Sequence, residues 1–122
     1  MKTSEKIRQR LKEKEVRFHS NDNIADYIEK GEIEELQKEV EDSFSDVLDA
    51  LVIDTENDHN TKETARRVAK MYINEIFAGR FVSPPKVTSF PNMGYRSLYT
   101  SGPISVKSTC AHHFQNIVGK CW

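Results

Sequence analysis

The chain has 122 residues and a mass of 14.1 kDa, the size of one ordinary domain or part of a larger one. Hydrophobic residues make up 37% and charged residues 30%, with a mean hydropathy of -0.66; this leaves a lean core but is not the composition of a disordered chain. The net charge of -1 conceals an acidic half, residues 1–60 at -8, and a basic half, residues 61–122 at +7, with no acidic residue after Glu75.

Several classes are excluded at this level. No apolar run approaches the roughly 18 residues that cross a bilayer. Met1 to Glu15 is polar and has no apolar leader segment. Neither a membrane partner nor a secretory leader is expected. Cys110 and Cys121 are too few for a disulfide scaffold, so a cytoplasmic, reducing compartment is expected. The basic residues of the second half are spread out and accompany no nucleic-acid motif, which argues against nucleic acid as a partner. Their sign favours an anionic ligand or an acidic surface on another chain.

In chain order, Ile7, Leu11 and Phe18 give a thin apolar stripe between charges. That predicts a first helix that is exposed or packed on a partner. Asn21-Asp22-Asn23 is a turn cluster, with Asn23 placed to cap a short helix to about Lys30 and Gly31 placed to stop it. Ile33, Leu36, Val40, Phe44, Val47, Leu48 and Leu51 then follow three- and four-residue steps. This is the strongest periodicity in the chain and predicts an amphipathic helix of about five turns.

Asp54 to Asn60 reads as a polar loop. Asn60, with Glu63 three residues on, predicts a capping box and a helix from Asn60 or Thr61. Val68, Met71, Tyr72 and Ile76 would be its buried face and Gly79 its stop. Arg66, Arg67 and Lys70 would form a basic, solvated face.

Beyond Phe81 the helical period disappears. Pro84-Pro85 favours extended backbone, and Pro91-Asn92-Met93-Gly94 a turn. Ile104, Val106, Ser108 and Cys110 alternate with Ser105, Lys107 and Thr109, which predicts a strand. Phe114 to Asn116 would be a connection and Ile117 to Trp122 the start of a second strand. Two strands are marginal alone.

The dense cluster of metal-capable side chains is Cys110-Ala111-His112-His113. Thiolate and imidazole suit zinc. Cys110 and His113, three apart, could converge on one ion at a tight turn, with His112 free for proton transfer. A catalytic zinc takes at least three protein ligands, and two are clear here. The alternatives stay open: a cysteine on an alternating strand is usually a small buried hydrophobe, and histidines on a loop are often simply exposed. Cys121 is a conceivable third ligand but reads more readily as core. His19 and His59 read as surface residues.

The surrounding residues carry a resemblance. Thr64-Ala65-Arg66-Arg67-Val68-Ala69-Lys70-Met71-Tyr72 is similar to the T-P-x-R-V-A helix of GTP cyclohydrolase I. Phe77, Gly79, Pro85, Thr88 and Phe90-Pro91-Asn92 follow in that family's order. Ser108-Thr109-Cys110-Ala111-His112-His113 resembles its S-x-C-E-H-H signature, and Gly119-Lys120 its following G-K. The resemblance covers roughly residues 33–122.

The family hydrolyses GTP to 7,8-dihydroneopterin triphosphate and formate, using a zinc-activated water at C8 of the guanine. By position, the resemblance makes Cys110 and His113 zinc ligands and His112 the acid/base histidine of ring opening. It implies an α+β fold in which N-terminal helices precede the start of a tunnelling-fold (T-fold) antiparallel sheet. It also implies a homo-oligomeric ring. The expected organisation is a variable helical segment over 1–32 and a partial family domain over 33–122, with helices in 33–80 and extended and β structure in 81–122.

Four departures qualify the resemblance. Ala111 stands where the family has Glu, removing a carboxylate beside the metal. Asn116 replaces a proline after the signature, and Ala65 the T-P proline. The family's third zinc ligand, second catalytic histidine and guanine-binding glutamate have no counterpart in this sequence. Two readings follow: a cyclohydrolase polypeptide that works with a C-terminal segment, or a non-catalytic module that associates with a full-length homologue. A small zinc protein using Cys110, His113 and Cys121 is a third.

Overall fold

A computed structural model describes residues 1–122. Helix α1 spans Thr3–Glu13, a single 3-10 turn spans Ala25–Tyr27, and α2 spans Glu32–Ala50. Helix α3, Thr64–Met71, runs on as a widened π-helical turn over Tyr72–Ile76, and α4 spans Ala78–Phe81. Strands β1, Ile104–Thr109, and β2, Asn116–Cys121, form one antiparallel pair. The order is helices, then a two-stranded antiparallel sheet: an α+β arrangement. The chain divides into two units, Met1–Ser83 and Pro84–Trp122. No helix is long and apolar enough to cross a membrane.

In the helical unit, the apolar stripe of α1 is narrow but fully used. Ile7 and Leu11 are 4% and 1% exposed and meet buried Ile24, with Val16, Phe18, Leu36 and Phe81 packed around them. The first helix is thus an element of the chain's own core, where the sequence led one to expect a helix exposed or packed on a partner. Polar contacts to α2 complete its attachment. Thr3 Oγ1 donates to Glu35, and the Ser4 N–H and hydroxyl donate to Glu39 at 3.1 and 2.5 Å. Arg10 forks onto both oxygens of Glu32 at 2.8 Å.

Both α1 and α2 end in the same way. In α1 the Glu15 N–H bonds Lys12 O and the Val16 N–H bonds Leu11 O; in α2 the Val52 N–H bonds Asp49 O and the Ile53 N–H bonds Leu48 O. These are Schellman closures, and their left-handed position is held by Glu15 at φ 53° and Val52 at φ 59°. Glycine is the residue that takes this conformation without strain.

The loop after α2 folds on its own carboxylates. Asp54 accepts from the backbones of Glu56 and Asn57, and Asp58 from the backbone of Asn60. Asn60 is therefore a turn residue, and the helix begins at Thr64 rather than at the expected Asn60 capping box. The buried face of α3 centres on Ala69 and Ile73, at 0% and 6% exposure, one position round from the expected one; Met71 is exposed. Tyr72 packs its ring 5.4 Å from Phe44 of α2 and 5.9 Å from Phe77. Gly79 lies inside α4 instead of ending a helix.

Arg80 of α4 is tied to the turn cluster. Its guanidinium donates to the carbonyls of Phe18, His19 and Asp22. Asn23 does cap locally, accepting from the Ala25 N–H, and its amide reaches Gly79 O and Val82 O. Only a 3-10 turn follows. Gly31, at φ 90°, precedes α2.

In the second unit the strand register pairs Ile104 with Cys121, Val106 with Gly119 and Ser108 with Ile117, so these residues share one face. Ser105, Lys107, Thr109, Val118 and Lys120 share the other. At the open end, a Cβ on Gly102 would lie 2.8 Å from the Trp122 ring, so only glycine allows that approach.

Candidate metal and proton-transfer site

The candidate residues sit on the closed end of the hairpin. Thr109 and Asn116 form the last strand pair. Beyond it, the Cys110 N–H donates to Gln115 O at 2.8 Å and the Phe114 N–H donates to Cys110 O at 2.8 Å. Phe114 takes φ 53° to close the loop. Cys110 to His113 are thereby held in a tight turn at a strand end, as the alternation and the loop residues led one to expect.

Within that turn, Cys110 Sγ lies 3.5 Å from His112 Nδ1. Cys110 is half-buried, and both histidines are exposed. The contact thus joins the cysteine to the first histidine; His113 stands on the same turn without a hydrogen bond to the thiol. Tetrahedral zinc sets sulfur and nitrogen ligands about 3.5 Å apart, given bond lengths of about 2.3 and 2.0 Å. The donor types of the turn suit such a site, and the thiol–imidazole separation of that size in the turn is the one to His112. No three His, Cys, Asp or Glu side chains come together as a ligand set.

Cys121 is not a neighbour of this turn. It pairs with Ile104 at the opposite end of the six-residue strands, about 17–20 Å away at the usual rise per residue. It is exposed, not core. His19 and His59 are exposed as expected. On α3, Arg66 pairs with Glu63 at 2.6 Å, while Arg67 and Lys70 are solvated.

Comparison with known proteins bears on the same segment. The family model described as GTP cyclohydrolase I matches residues 40–122. The GTP cyclohydrolase 1 of Aliivibrio salmonicida is 36% identical over 89 residues, covering 71% of this chain and 41% of that protein. That of Shewanella baltica is 36% identical over 88 residues, covering 70% and 40%. That of Actinobacillus pleuropneumoniae is 38% identical over 84 residues, covering 67% and 38%. The chain spans about two fifths of the length of the curated relatives it matches. The matched segment takes in the second part of α2, α3, α4, the hairpin and the Ser108–His113 turn, and over this span the chain belongs to the GTP cyclohydrolase I family.

Proposed function

We propose that this chain carries the zinc-ligand and proton-transfer turn of a GTP cyclohydrolase I active site, acting in the hydrolysis of GTP to 7,8-dihydroneopterin triphosphate and formate. The observation that supports the reading is the tight turn between β1 and β2, which gathers Cys110, His112 and His113 at one strand end. Cys110 and His113 would hold the zinc, as the family signature implies. When bound, zinc supplies the Lewis acidity that makes water a nucleophile near neutral pH. His112 would move the proton. Its Nδ1 is turned to the thiol, which leaves Nε2 on the exposed side of the ring to give or take a proton at the opening guanine.

Two donors on one turn do not complete a catalytic zinc site. In this reading the third ligand and the guanine contact come from residues outside 1–122. The hairpin then forms the first strands of a T-fold sheet within a homo-oligomeric ring, with 33–122 as the family domain and 1–32 as the variable helical segment. The basic character of 61–122, +7 by formal charge, suits a triphosphate.

The test supplies what the reading requires. The chain is mixed with zinc, GTP and the C-terminal portion of a relative, and pterin fluorescence and formate are followed. Both products are expected, and both should vanish with His112→Ala. A stoichiometric complex that holds zinc and forms neither product overturns the proposal. The exposed apolar residues of the hairpin, Ile104, Ile117, Val118 and Trp122 among them, favour a second reading in that event. The chain would then be a non-catalytic module, expected to co-elute with a full-length relative.

A further inference from the structure

Three residues other than glycine take a positive φ: Glu15, Val52 and Phe114. Glu15 and Val52 close helix ends. Phe114, at φ 53°, stands instead in the turn between β1 and β2, next to His113 and two residues from His112. A bulky side chain makes this conformation costly, and strain of this kind persists where the surrounding structure requires the backbone it gives.

What it gives here is a grip on Cys110. The chain reverses in four residues, Ala111 to Phe114, between Cys110 and Gln115. The Phe114 N–H donates to Cys110 O, and Gln115 O accepts from the Cys110 N–H, both at 2.8 Å. The two hydrogen bonds engage the chain on either side of the Phe114 N–Cα bond. Rotation about that bond is the φ of residue 114, so both form together only over a narrow range of φ. At the negative φ that most residues prefer, the chain beyond residue 114 turns away and Gln115 O leaves the Cys110 N–H. Cys110 would then be held at one end only, and its Sγ, 3.5 Å from His112 Nδ1, would lose its aim at that ring.

We propose that residue 114 is a positioning residue of the site and acts through its backbone: the left-handed conformation there fixes Cys110 at both ends and so sets the thiol against His112. The use of this geometry in holding zinc rests on the cyclohydrolase reading; the geometry itself does not. The Phe114 ring is 48% exposed, so its removal opens no large cavity, and glycine takes the same backbone freely.

The test reads the His112 ring nitrogens by 15N NMR in the full, metal-free chain at one pH. Cys110→Ala gives the reference, a ring released from the thiol. Phe114→Gly permits the left-handed backbone and is expected to keep the parent shifts. Phe114→Pro forbids it, since the proline ring holds φ near about -65° and removes the N–H. Its shifts are expected to move onto those of Cys110→Ala. Phe114→Ile keeps the N–H and an apolar side chain but branches at Cβ, which disfavours positive φ, and its shifts should fall between. Cross-strand contacts of Val106 with Gly119 report that the hairpin is formed. Where Phe114→Pro loses the hairpin, Phe114→Ile decides. Released shifts in Phe114→Gly would make the ring the working part and overturn the proposal. So would parent shifts in Phe114→Pro or Phe114→Ile with the hairpin formed, or a parent that already matches Cys110→Ala. In the complex with the C-terminal portion of a relative, Phe114→Pro is expected to lower kcat about 100-fold with KM for GTP unchanged, the scale of a small misplacement of reacting groups. If no chain forms a pterin, the cyclohydrolase reading fails while the ring shifts still decide the role of residue 114.

Discussion

Arg10 grips Glu32 with two parallel N–H···O bonds of 2.8 Å, and the same guanidinium reaches the Tyr27 carbonyl. Glu32 is 7% exposed and also accepts from the Glu29 N–H at 2.7 Å. The carboxylate therefore joins α1 to α2 and to the segment just before it, and the guanidinium adds the end of the 3-10 turn. The Arg10 hydrogen bond, more than the opposing effect of burial, holds the Glu32 carboxyl below its ordinary value, and raises that of Arg10.

The pair predicts how stability depends on pH. A lowered folded value means that the contribution is complete above the ordinary Glu value of 4.5 and is lost as pH falls through the folded value. Glu39 behaves alike: burial would raise it, but hydrogen bonds from Ser4 outweigh that and lower it. Glu32→Gln should cost about 2 kcal/mol at pH 7, since a bidentate charged pair is reduced to one neutral contact. The gap to the parent should begin to narrow below about pH 4.5 and close as pH falls through the lowered folded value, where the parent loses the same interaction. Thermal melts of both proteins at stepped pH would reveal a gap that fails to narrow.

The two helix ends make a prediction of opposite sign. Val52 and Glu15 occupy left-handed positions that cost a residue with a Cβ about 1–2 kcal/mol, and a β-branched one more. Glycine removes that strain and returns about 0.5–1 kcal/mol through the freedom of its unfolded chain. Val52→Gly is therefore expected to stabilise by about 1 kcal/mol and Glu15→Gly by rather less. Val52 is 92% exposed, so no packing is lost with its side chain. Chemical denaturation midpoints check both, and a destabilised Val52→Gly would contradict the Schellman account.

Much of this was legible from periodicity. The stripe from Ile33 to Leu51 marked α2, and the alternation from Ile104 marked β1 and its partner to within a residue or two. Burial in α1 was not legible. Two apolar residues look too few for a core helix, and what completes the contact is Arg10, Thr3 and Ser4 meeting carboxylates 22 to 35 positions away. The start of α3 was misplaced because Asp58, not Asn60, organises the turn before it. At the candidate site, the spacing of Cys110, His112 and His113 marked the turn, while the contact of Cys110 Sγ with His112 Nδ1 depends on the backbone closed by Phe114, which spacing does not encode.

Arg80 organises the segment before α2. Burial pushes its guanidinium down from the ordinary arginine value, and Asp22 partly offsets that. Three carbonyls, of Phe18, His19 and Asp22, depend on it, and the Arg80 carbonyl in turn receives the Ile24 N–H at 2.8 Å. Arg80→Met keeps the stem and removes the donors, at an expected cost of about 2 kcal/mol. Amide exchange should quicken at residues 18–24 and stay unchanged in α2 beyond Phe44. Uniform loss of protection would mean that the clamp supports the whole unit.

The metal turn yields the sharpest division of roles. Cobalt in place of zinc gives a thiolate charge-transfer band that reports on Cys110 directly. Cys110→Ser should abolish that band in the chain complexed with the C-terminal portion of a relative. If His113 is the nitrogen ligand, His113→Ala should weaken metal binding by more than the about 10–100-fold typical of outer groups. His112→Ala should leave the band and metal affinity nearly intact while product formation falls by about 100-fold or more, the scale of a lost general acid or base. The 3.5 Å separation of Cys110 Sγ and His112 Nδ1 also defines the converse. Should His112→Ala lose the metal and His113→Ala keep it, the two histidines exchange roles. Restoring a carboxylate with Ala111→Glu would then be expected to tighten metal binding through its effect on ring orientation, with no change in the sulfur band.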